Sequence, residues 1–168
     1  MKVFNTIIAT VAPLILIAYS NNIALPEPNR ELDKNIILSL VNEYRTTGAD
    51  CGDEYHPPVD PLKWNNKLQS AAQAHSNDMH ANEFMSHTGS DGSSPGDRLI
   101  RVDYHWSTYG ENVAMGEILT EETVVDGWMA SPGHCKIIMN ASFEEMAVAR
   151  SDMYWTQVFA REIDRQNR

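Results

Sequence analysis

Residues 146–161 read MAVARSDMYWTQVFAR, and their pattern decides the fold class. They hold two β-like stretches, 146–150 and 154–161. In the second, Trp155, Gln157 and Phe159 face one way while Tyr154, Thr156, Val158 and Ala160 face the other, the period-two alternation of a strand. Upstream the period changes. Residues 30–46 carry Ile36, Ile37, Leu40, Val41 and Tyr44 at helical spacing, and Thr47-Gly48 ends the run. A second helix over 66–81 has a stripe of Leu68, Ala72, His75 and Met79, in steps of four, three and four. Thr120 caps a third, with Glu121 and Glu122 in its first turn and Val124, Val125 and Trp128 on its apolar face. Ser131-Pro132-Gly133 interrupts that helix, and Pro132 starts a short one over 134–139. Helices first and strands late predict an α+β domain with helices packed on an antiparallel sheet.

Between these elements the chain reads as connections. Residues 49–61 (ADCGDEYHPPVDP) carry three prolines and several turn formers, so a loop is expected, pinned by Cys51. Residues 86–97 (SHTGSDGSSPGD) form a polar loop, with a short helix over 97–102. Residues 109–116 (YGENVAMG) suit a short strand edge between glycines.

The ends differ in kind from the middle. Lys2, the twelve-residue apolar run 7–18 (IIATVAPLILIA) and Ala18-Tyr19-Ser20 have the layout of a secretory signal peptide with a cut after Ser20. The run is too short for a transmembrane helix, which wants about 20 apolar residues, and Pro13 lies within it. The expected organisation is therefore a signal peptide over 1–20, a linker over 21–30, one domain over 31–163 and a tail over 164–168. The expected location is secreted or periplasmic, with no stable membrane span after cleavage.

A formal net charge of −10 argues against nucleic acid as a partner, because phosphate neutralisation needs clustered Lys and Arg. It also argues against adsorption to anionic membrane surfaces. The partner expected is an extracellular ligand or protein. Cys51 and Cys135, both in the exported part, read most simply as one disulfide. The rival reading is two free thiols, with Cys135 a nucleophile beside His134.

Six histidines occur, and two of them lie in Gly/Ser-rich loops: His87 in Ser86-His87-Thr88-Gly89 and His134 in Ser131-Pro132-Gly133-His134. Glu111 falls between them in Gly110-Glu111-Asn112. Two imidazoles and a carboxylate suit zinc or another divalent cation, and equally a general acid/base pair. His75 sits on an apolar stripe and reads as a satisfied core histidine. His56, His80 and His105 read as surface residues, Glu144-Glu145 as a solvated loop pair or, since Glu145 precedes a strand, with Glu145 turned inward, and the methionines as core filler. Asn42, Arg45, Asn112 and Gln157 read as organisers of backbone.

Six segments in order resemble the CAP superfamily, the cysteine-rich secretory, antigen 5 and pathogenesis-related group, and within it the bacterial SCP-like extracellular type. They are Leu40-Val41-Asn42-Glu43-Tyr44-Arg45; Leu62-Lys63-Trp64-Asn65 with the following Ala-rich helix; Ser86-His87-Thr88-Gly89; Tyr109-Gly110-Glu111-Asn112; Trp128 through His134; and Tyr154-Trp155-Thr156-Gln157-Val158-Phe159. The resemblance implies a three-layer α-β-α sandwich with a central antiparallel sheet and a cleft lined by two His and two Glu. His87 and Glu111 match the first His and first Glu of that set. The other two positions hold Ser131 and Tyr154, and His134 is the candidate to restore a second imidazole. The function expected is a non-enzymatic binding module whose His87/Glu111/His134 cleft holds a divalent metal or small ligand. The alternatives are a hydrolase using the same three residues as catalytic groups and a lipid or sterol carrier; fold alone does not choose among them.

Overall fold

In the computed structural model, residues 31–117 and 119–163 are described. The signal peptide, the linker and the tail expected from the sequence lie outside them.

Helix α1 (Lys34–Thr47) starts at Asp33, whose carboxylate accepts the Asn35 and Ile36 N–H groups, and ends at Gly48, where φ is +84°. The cap at Asp33 sets a start later than the sequence pattern placed it. A two-stranded hairpin follows, β1 (Ala49–Cys51) and β2 (Glu54–His56), in a stretch expected to be loop. Gly52, at φ +72°, makes the turn. The two-residue strand β3 (Lys63–Trp64) leads into α2 (Asn66–Ala81), capped by the Asn65 side chain. Next come α3 (Pro95–Arg101), β4 (Trp106–Met115), α4 (Glu121–Ala130), α5 (Pro132–Ile138), β5 (Glu145–Ser151) and β6 (Tyr154–Glu162).

The main sheet has the order β3-β5-β6-β4. Its three long strands are antiparallel, as expected, whereas β3 joins β5 in parallel through two residues. Helices α2 and α3 cover one face and α1, α4 and α5 the other, so the molecule is an α-β-α sandwich. The alternation in β6 divides the core accordingly. Trp155 and Phe159 pack with Ile37, Val41, Val125 and Trp128, while Val158 and Ala160 pack with Leu68, Ala72 and Leu99. Burying each large side chain of this kind contributes about 1.5–3 kcal/mol, which is why β6 is apolar on both faces.

Polar residues inside this core tie segments together. Asn42 brackets Leu62, its Nδ2 donating to the Leu62 carbonyl at 2.9 Å and its Oδ1 accepting the Leu62 N–H at 2.8 Å. Arg45 is fully buried and donates to the carbonyls of Asp60, Ile138 and Asn140. Burial draws its pKa down to about 10, against the pull of Asp60. Of the two readings of Glu145, the structure takes the inward one and not the solvated loop: it opens β5, and its carboxylate accepts from Tyr104 Oη at 2.7 Å and Asn65 Nδ2 at 2.9 Å.

Candidate functional site

The site is built on the edge of the sheet. Glu111 lies in β4 opposite Val158, on the face covered by α2, and is 5% exposed. Its carboxylate is engaged at both oxygens. His87, in the loop after α2, donates from Nδ1 to Oε1 at 2.9 Å, and Arg98 of α3 donates from Nη2 to Oε2 at 2.7 Å. Arg98 also donates to the carbonyls of Ser93 (3.0 Å) and His87 (3.1 Å), drawing loop 87–93 onto β4. The placement of Arg98 follows from local sequence. Ser94 and Asp97 form a reciprocal capping box with Pro95 at the first turn, so α3 begins there and turns Arg98 inward.

The imidazoles divide by environment. His87 has about half its side chain exposed. The hydrogen bond to Glu111 raises its pKa, and partial burial opposes the rise. With Nδ1 held by the carboxylate, Nε2 is the free ring nitrogen. His75 is fully buried; its Nε2–H donates to the Ser86 carbonyl at 2.7 Å and stands 3.9 Å from Glu111 Oε1. Burial lowers its pKa, with Glu111 pulling the other way. It is a core histidine, as its stripe position implied, and it also backs the carboxylate. His134 lies in the first turn of α5, where burial and then the neighbouring His87 both lower its pKa. The Asn112 side chain donates to the His134 carbonyl at 3.3 Å and to Gln157 Oε1 at 3.0 Å, across the β4–β6 pair. Cys135 is bonded to Cys51 of β1, which fastens α5 to the hairpin and removes the free-thiol reading.

Beside His134 opens a cavity of about 370 Å³, walled by Met85, Val113, Met115, Leu119 and Trp128. Of the three expected residues, then, His87 and Glu111 meet directly. His134 is close enough to His87 for their charges to interact. Arg98 was not singled out from sequence: it is 13 residues from Glu111 with no motif to join them. The same geometry bears on a divalent ion. Both oxygens of Glu111 already accept charged hydrogen bonds, and among the described residues no group of three His, Cys, Asp or Glu side chains is placed to share an ion. That donor set does not fit zinc, which wants at least three protein ligands.

The profile of the Cysteine-rich secretory protein family (CAP) matches residues 38–159, nearly all of the described chain. The chain belongs to the CAP family. A Bacillus subtilis relative, uncharacterized protein YkwD, is 37% identical over 101 residues, covering 59% of this chain and 39% of its own length. An extracellular protein containing an SCP domain from Bacillus anthracis superposes with a TM-score of 0.68 at 29% identity, over 77% of this chain and 40% of its own. The chain thus spans about two fifths of the length of these two relatives. An outer surface protein of Borrelia burgdorferi shares the fold, with a TM-score of 0.64 at 19% identity, over 77% of this chain and 92% of its own. At the two remaining cleft positions that the resemblance implies, Ser131 lies on the cavity wall and Tyr154 in β6, packed in a cluster with Met79 and Val113. Among the described residues no helix is long and apolar enough to cross a membrane.

Proposed function

We propose that this CAP domain is an exported, non-enzymatic binding module whose ligand seats between His87 and the apolar cavity beside His134. The observation that carries this reading is the state of Glu111. A buried carboxylate held by His87 and Arg98 is a rigid support, and it leaves His87 Nε2 as a fixed polar contact within electrostatic reach of His134, which lines the apolar recess. Apolar walls with a few placed polar groups are the usual composition of a small-ligand site. Export accords with the disulfide, with the leader-like N-terminus and with relatives described as extracellular or outer-surface proteins.

The test is a titration of the full chain with 3-phenylpropanoate, an apolar ring bearing a carboxylate, followed through the imidazole resonances of His87 and His134. Both are expected to move together with a millimolar Kd, weakened severalfold in His87→Ala. If neither resonance moves at tens of millimolar, the cleft is not a ligand site.

A second reading has one observation in its favour. Glu111 holding Nδ1 is the arrangement that orients an imidazole as a general base. Under that reading His87→Ala abolishes turnover of a peptide and ester panel while the protein stays folded. Absence of turnover by wild type across the panel removes it.

A further inference from the structure

The sulfur atoms of this protein divide by exposure. Both cysteines are joined in the buried disulfide, so the thioethers are the sulfurs left to react. Met79, Met139 and Met146 are packed in the core, at 0, 2 and 0% exposure. Met129 and Met153 are partly buried and pack against the core clusters. Met85 and Met115 stand apart, 52 and 51% exposed. Both line the cavity beside His134. The fold brings them there from separate elements. In the turn after α2, Phe84 packs against Met79 and Val113, which leaves Met85 at the surface. Met115 is the last residue of β4 and shares a face with the buried Val113 two residues earlier, at the point where burial of the strand runs out. Among the described residues, then, the two freely exposed methionines both belong to the wall of one cavity.

An apolar wall needs no sulfur, since Leu fills the same volume as Met. What a thioether adds is chemistry. Its sulfur lone pair attacks one oxygen of hydrogen peroxide, a sulfur–oxygen bond forms and the O–O bond breaks. Sulfur gives up two electrons to become a sulfoxide, and the peroxide is reduced to water. Access governs the rate, so exposed thioethers react ahead of packed ones. The product is polar, and its oxygen is a hydrogen-bond acceptor that holds water. An apolar group seated against it strips that water and offers no donor in return. Under the proposed export, the chain meets such oxidants outside the reducing interior. We propose that Met85 and Met115 form a modification site on the cavity wall, where a peroxide makes two sulfoxides and lowers affinity for an apolar ligand. The proposal rests on the cavity being a ligand site and adds the regulation of that site.

The experiment treats the folded full chain with hydrogen peroxide and follows each methionine by peptide-mapping mass spectrometry. Expected is addition of one oxygen at Met85 and at Met115 about tenfold faster than at Met79, Met139 and Met146, and ahead of Met129 and Met153. The doubly oxidised protein is then titrated with 3-phenylpropanoate through the His134 resonance. Its Kd should rise about tenfold over that of the untreated chain. In Met85→Leu with Met115→Leu, the same treatment should change the Kd by less than about twofold, whatever its starting value. Equal oxidation of the packed methionines, or an unchanged Kd after both sulfoxides form, overturns the proposal while the ligand site stands. An equal rise in the leucine variant overturns it as well, since the oxidant then acts elsewhere. If the untreated chain gives no response to 3-phenylpropanoate, the binding reading falls and this proposal falls with it.

Discussion

Glu111 is the residue on which the rest of the cleft turns. It is a carboxylate almost without solvent, made tolerable by one guanidinium and one imidazole. Removing a partner from such a pair costs more than the pair contributes, because a buried charge is left uncompensated. Arg98→Ala is therefore expected to lower stability by about 3–5 kcal/mol in urea unfolding, and adding Glu111→Gln should restore part of the loss. A loss below about 1 kcal/mol would mean that Glu111 reaches water instead. His87 gives a pH signature. Its pKa is raised above the ordinary 6.5 on folding, so its contribution to stability is complete below 6.5 and disappears as pH rises through the raised value. The melting-temperature difference between wild type and His87→Gln should accordingly be largest below pH 6.5 and shrink in alkaline buffer. His75 and His134 act with the opposite sign, since their pKa values are lowered and protonation favours the unfolded chain as pH falls. A difference that instead grows with pH would place His87 away from Glu111.

At the scale of elements, the close packing of β4 makes Gly110 the test position. A Cβ there would stand 2.8 Å from the Phe143 ring and 3.2 Å from Ile137 Cγ2. Phe143 stacks on Phe159 in the core, so it has little room to retreat. Gly110→Ala is expected to destabilise by about 1–3 kcal/mol in denaturant unfolding, an overpacking cost; a neutral result would show that the ring yields. Gly110 also explains why β4 reads as a short stretch between glycines, although it runs for ten residues with Gly110 inside it. Glycine is a poor strand former unless something approaches where its side chain would be, and sequence cannot show what approaches. The strand β6 is legible because both its faces are buried and its alternation is unbroken, and α2 and α4 because each pairs an apolar stripe with a side-chain cap. The hairpin β1–β2 is not, because three-residue strands carry too little periodicity, and β3 is shorter still at two residues. In the site, His87 and Glu111 stand in recognisable motifs. Arg98 reaches Glu111 only because α3 folds back on β4, which no local pattern encodes.

For the whole molecule, the zinc expectation and the geometry lead to a direct measurement. With Glu111 held on both oxygens, calorimetric titration of the full chain with zinc at pH 7.5 should show no stoichiometric binding that His87→Ala removes. Such binding would mean that His87 Nε2 takes the ion with Glu111 only orienting the ring, or that the Arg98 contact opens to admit it. The disulfide between Cys51 and Cys135 closes a span of 84 residues, from the hairpin to the helix carrying His134. Loss of both cysteines, as in Cys51→Ala with Cys135→Ala, is expected to cost about 4–5 kcal/mol in urea unfolding on loop-closure grounds. The bond has a further consequence, because it adjoins His134 in sequence. Its two sulfurs are nearly solvent-free, so a reductant reaches them mainly in an opened chain. Before oxidation the same sequence has the cavity's histidine on an untethered helix; afterwards that helix is clamped. Under the proposed export, the bond records the chain's passage out of the reducing interior, and the cleft matures with that record. In the double-alanine variant, the His134 resonance should broaden while those of His75 and Glu111 stay sharp. If His134 stays equally sharp, the clamp acts on stability alone.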